Sequence, residues 1–124
     1  MKCKFLLLPL TLFLAQSALA TTVLPQPKAC PSITAIKTIG VNKAQYYAID
    51  GWVGTNVNHY DTQEEWSFYI FVPRQTNDEN DAIAKGNANI ALLSAVHGPD
   101  GKDNEWRCYY LNEQQKPLGM AMLR

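Results

Sequence analysis

The chain has no excess of basic charge: eleven Lys and Arg stand against eleven Asp and Glu in 124 residues. Nucleic-acid binding draws on a basic patch or stripe, and none is present, so nucleic acid is not an expected partner. Histidine is scarce, with His59 and His97 alone. A zinc site takes four protein ligands, or three and a water, and these two histidines with Asp61 do not reach that pattern. No metal or other cofactor is therefore expected. Phosphate-cradling glycine loops, a G-x-S-x-G elbow and a close Cys/His pair are all missing. Glu64 and Glu65 are adjacent, so on a strand they would point to opposite faces and could not share one substrate. The segment Asp100-Gly101-Lys102-Asp103-Asn104-Glu105 is acidic, but its spacing is not that of a calcium loop and it reads as a polar turn. Internal repeats and low-complexity tracts are also lacking.

Long hydrophobic runs are missing too, with one short exception. Lys2 and Lys4 precede Phe5 to Leu14 (FLLLPLTLFL), and Ala18-Leu19-Ala20 follows with small residues before Thr21. This is the three-part pattern of a cleavable secretory signal over residues 1–20. The apolar run is well short of the ~20 residues that span a bilayer, which disfavours an uncleaved anchor. A lipid on Cys30 is disfavoured because Pro27-Lys28-Ala29 places a proline and a charge where such a site needs small and apolar residues. Cleavage leaves residues 21–124 without a membrane anchor, in the periplasm or secreted beyond it. Loss of Lys2 and Lys4 reduces eleven basic residues to nine against eleven acidic, a net charge of −2.

Of the three cysteines, Cys3 departs with the signal and leaves Cys30 and Cys108. Two cysteines in an oxidising compartment predict one disulfide. A catalytic thiol is the competing reading, but neither cysteine carries a flanking motif.

Residues 21–29 (TTVLPQPKA) read as an extended leader and 30–124 as one domain. Ser32 to Val41 carries both a helical spacing (Ile33, Ile36, Ile39) and β-branched content, and a strand is expected. Gln45 to Val57 reads as one strand interrupted at Gly51 and Gly54, with Tyr47, Ile49, Val53 and Val57 on its core side. Asn58 to Gln63 is turn chemistry. Trp66 to Val72 is the strongest strand, with Trp66, Phe68, Ile70 and Val72 on one face. A capping box at Thr76 and Glu79 opens a helix over Asp81 to Ala95. Its Ala84, Ala88, Ala91 and Ala95 stripe is expected to dock on the sheet. Gly98-Pro99-Asp100-Gly101 reads as a loop, and Glu105–Leu111 and Leu118–Leu123 as strands. The order β-β-β-α-β-β predicts an α+β fold. Its antiparallel sheet has four to five strands, with one helix packed on one face.

A single helix leaves the other face of such a sheet open. Tyr46, Tyr69, Phe71 and Tyr109 fall on the parity opposite the expected core, and open aromatic faces are what interfaces use.

Cys30-Pro31 after a signal, Trp66 opening a strong strand, an alanine-rich helix, and Trp106-Arg107-Cys108-Tyr109 after it make up a further pattern. In these features residues 30–124 resemble the EirA-like small exported proteins of intracellular gammaproteobacteria, associated with a type IVB secretion system. The resemblance implies a periplasmic, non-enzymatic accessory protein supporting intracellular growth, and it brings no catalytic residues. The expected function is thus a protein-interaction module that binds a protein partner or itself as a homodimer. The alternative is a small hydrolase, or an inhibitor or binder of one, with a site assembled from His59, Asp61 and His97.

Overall fold

A computed structural model describes residues 24–102 and 104–124 of the chain. The signal at 1–20, the cleavage point at Thr21, and Asp103 lie outside the described residues. The elements run α1 (Ile33–Ile39), β1 (Lys43–Tyr47), β2 (Gly51–Asn58), β3 (Trp66–Phe71), α2 (Glu79–Ile90), β4 (Ala95–Lys102), β5 (Glu105–Leu111) and β6 (Pro117–Leu123). The fold is α+β. All six strands form one sheet in the order β1-β2-β3-β6-β5-β4, antiparallel at every pairing. Both helices lie on one face.

Four expectations are corrected. The first concerns Ser32 to Val41, where a strand was expected and α1 is found. The hydroxyl of Ser32 caps the helix by accepting from the Ala35 N–H at 3.0 Å, and Gly40 closes it at φ 68°. Ile36 is its one buried residue, so the three-residue spacing of isoleucines outweighed their β-branching.

The second is the single strand over Gln45 to Val57, which is a hairpin. Tyr47 pairs with Gly51, and the chain reverses through Ala48-Ile49-Asp50. Gly51 takes φ 76°, a conformation most side chains resist, and no atom stands near where its Cβ would be. Its requirement is therefore conformational. Gly54 is not a bend but a ladder residue, opposite Ala44 and Ile70. A Cβ there would lie 2.8 Å from Ile70 and 3.0 Å from Val41.

The third is the docking face of the long helix. Ala84, Ala88 and Ala91 are exposed, and Ala95 belongs to β4. The buried side is Ala82, Gly86 and Ile90, one residue every four. Close approach is real, but Gly86 provides it: a Cβ there would sit 3.0 Å from Ile70 and 3.2 Å from Val41. The helix also starts and ends earlier than expected. Asp78 is its N-cap, accepting from the Asp81 N–H at 2.8 Å, while Asp81 accepts from the Asn77 N–H at 3.0 Å. Thr76 instead donates its hydroxyl to the Pro73 carbonyl.

The fourth is Gly98-Pro99-Asp100-Gly101, which lies within a sixth strand. β4 is an edge, and its register shifts between His97 and Asp100. Proline has no N–H to give the ladder and is accommodated at such a bulged edge.

Trp66, Phe68, Ile70, Cys108, Tyr110 and Ala121 fill the helix-side core with Ile36, Ile90 and Leu93. Phe68 meets Tyr110 edge-on at 5.5 Å. The Tyr110 hydroxyl donates to the Pro31 carbonyl at 2.6 Å. Beside it the Cys30–Cys108 disulfide, with Cα atoms 5.9 Å apart, ties the start of the domain to β5. Two amides seat the link between α1 and β1. Asn87 accepts from the Val41 N–H and donates to the Val41 carbonyl, and Asn56 donates to the Gly40 carbonyl.

Candidate interaction face

Residues opposite one another in an antiparallel ladder share a face. Thr55, Tyr69, Met120, Tyr109 and His97 are successive partners across β2, β3, β6, β5 and β4. They form one row on the face away from the helices. A second row runs Val57, Ser67, Met122, Arg107 and Asp100. At the other end of the face, Gln45, Val53 and Phe71 are partners. Both helices lie on the opposite face, and Val53 is the one buried residue of these rows.

The centre of this face is apolar. Tyr47, Asp50, Val53, Tyr69, Phe71, Met120 and Met122 line a shallow depression of about 270 Å³. Phe71 is 48 % exposed, while its ladder neighbour Val53 is 5 % exposed. Charge lies around this centre: Asp50 at the β1–β2 reversal, Lys43 opposite Thr55 on β1, and Arg107 on β5, where it pairs with Glu105. Hydrogen bonding to Glu105 first, and then to Tyr109, raises the already high pKa of Arg107, so this cation is permanent.

Of the four aromatics expected here, Tyr69, Phe71 and Tyr109 lie together on this face. Tyr46 does not. It stands opposite Trp52 and beside the Ala44–Gly54 pair, on the helix side, with its ring edge-on to Trp52 at 5.7 Å. Apolar content misstates the inward side of β2. Helix α2 presses against β2, so small Gly54 and hydrogen-bonded Asn56 lie inward, while β-branched Val53, Thr55 and Val57 face outward. Tyr47, Val53, Met120 and Met122 were missed. The segment Gly119-Met120-Ala121-Met122 carried a signal in its alternation of small and large: Gly119 and Ala121 meet the core and the methionines face out.

The structure does not bring His59, Asp61 and His97 together. His59 and Asp61 lie in the loop between β2 and β3, whereas His97 is on β4, with β6 and β5 between. Three strand spacings amount to about 14 Å. Asp61 has a structural partner: it accepts from the Ser32 N–H at 2.9 Å, and hydrogen bonding from Ser32 holds its carboxyl below the usual range. His59 faces the Gln63 carbonyl within its own loop. Burial pushes the phenols of Tyr60 and Tyr110 up, which keeps both neutral. No group of three His, Cys, Asp or Glu could hold a metal among the described residues, and no helix there is long and apolar enough to cross a membrane.

Residues 29–123 match the model of a family described as a domain of unknown function, DUF4949. The chain belongs to the DUF4949 family. No curated protein and no solved structure matches it. The DUF4949 match begins just before Cys30 and ends at the last residue of β6, so it takes in both cysteines and the whole sheet.

Proposed function

We propose that this DUF4949 protein is a non-enzymatic, exported module that binds another protein through the open face of its sheet. The observation that carries the reading is the depression centred on Val53, Tyr69, Phe71 and Met120. Aromatic and methionine side chains bury much area with adaptable packing, and they are the residues that interfaces favour. Export is supported by the Cys30–Cys108 disulfide, which suits an oxidising compartment such as the periplasm or the extracellular medium. An accessory role at an envelope secretion system that supports intracellular growth extends this reading. It rests on the resemblance to EirA-like exported proteins.

The test is a crosslinked pull-down from cell envelopes with the wild type and Phe71→Asp. Phe71 is half exposed, so a charge there should leave the domain folded and abolish capture of the partner. Equal capture by both proteins would show that the open face is not the binding surface.

A further inference from the structure

We propose that β1 pairs edge to edge with β1 of a second copy of this chain, joining two six-stranded sheets into one. This surface is separate from the open face. The two edges of the sheet are not equivalent. β4 carries a register shift and Pro99, devices that stop a strand from templating another. β1 has neither: its five residues Lys43–Tyr47 are each in register with β2, and all but Ala44 are exposed. A regular exposed edge is a template for strand addition.

The geometry selects one register. The Ala44 N–H points away from β2, toward the Glu79 carboxylate at 3.4 Å. Strand alternation then directs the backbone groups of both Ala44 and Tyr46 outward. An antiparallel pairing with its two-fold axis at Gln45 sets Ala44 opposite Tyr46 of the second copy, and each such pair exchanges both backbone bonds. The side chains suit this register. Small Ala44 meets large Tyr46 on the helix side. On the open side Lys43 stands opposite Tyr47, a cation beside an aromatic ring, and the two Gln45 amides face each other. No like charges oppose. The Glu79 contact is long and exposed, so a backbone acceptor displaces it readily. The pairing also makes the two open faces continuous.

Sedimentation equilibrium of the mature, disulfide-bonded protein tests this. The wild type is expected to be a dimer. Gln45→Glu places two carboxylates opposite each other at the two-fold axis, and Gln45→Lys places two ammonium groups there. Each variant should be a monomer alone, and the two mixed should form a heterodimer. Gln45 is exposed, so neither change threatens the fold. A wild type that is monomeric up to about 1 mM overturns the proposal. So does a dimer that persists in both variants, or an edge that takes up an unrelated extended peptide in place of a second copy. Phe71→Asp should leave the dimer intact while losing partner capture; loss of the dimer in that variant would assign self-association to the face instead.

Discussion

The two faces of this sheet are built from the same strands, yet they obey opposite rules. On the helix side of β6, Gly119 and Ala121 are small because Phe68, Ile70 and Tyr110 crowd in from the neighbouring strands. On the other side of the same strand, Met120 and Met122 are large and meet no second layer among the described residues. β3 shows the contrast most sharply: Phe68 is fully buried, whereas Phe71 is 48 % exposed. An aromatic residue inside supplies packing energy, and one outside retains area that a partner can bury. Burial on one face holds the fold together, and the other face leaves apolar area uncovered.

The sharpest way to break this contrast is to truncate the two phenylalanines. Phe68→Ala should cost about 3–5 kcal/mol of unfolding free energy, and Phe71→Ala less than about 1 kcal/mol. Chemical denaturation measures both, and equal losses would mean that the two faces are equally buried. Next in size is the disulfide, which closes a sequence separation of 78 residues on the helix side. Cys108→Ala should lower stability by about 2–5 kcal/mol. The same unfolding experiment under reducing conditions should erase the difference between variant and wild type.

A smaller effect separates the two sides of α2. Gly86→Leu would drive a side chain into Ile70 and Val41 and should cost about 1–3 kcal/mol or more, read as a fall in Tm. Ala88→Leu, on the exposed alanine stripe, should leave Tm almost unchanged. The opposite ranking would return the alanines to the interface.

The smallest effect is acid-dependent. The folded-state pKa of Asp61 lies below its ordinary 3.8, so its bond to Ser32 adds stability above that pH. That contribution is lost as pH falls below about 3.8 and through the lower folded-state value. Asp61→Asn should therefore flatten the acid limb of a stability-against-pH curve and leave the neutral region nearly level. A variant with the wild-type acid limb would show that the bond is not formed in solution.

How far each element was legible depended on whether its cues were local. Trp66 to Val72 could be read to within a residue of β3, because its run of aromatic and β-branched side chains is bounded by Pro73. The β5 strand and the Cys30–Cys108 bridge were equally plain. The hairpin is hidden because its reversal, Ala48-Ile49-Asp50, contains no glycine and carries an exposed isoleucine, so the apolar alternation runs on through it. β4 was hidden because a bulge tolerates the glycines and proline that usually mark a loop. For the candidate face, Tyr69, Phe71 and Tyr109 could be found by parity on confident strands. Tyr46 was misplaced because its strand was joined to the wrong neighbour.

The sequence by itself determined the α+β class, the antiparallel sheet, the bridging cysteines and the aromatic richness of one face, since alternation and cysteine count are read over short stretches. Only the tertiary structure decided the order of the six strands, the inward side of β2 and the docking face of α2. Those depend on which residues can approach most closely. A glycine such as Gly54 or Gly86 looks like a flexible joint in a one-dimensional pattern, and its purpose is visible only when the side chains of Ile70 and Val41 are seen to fill the space it leaves.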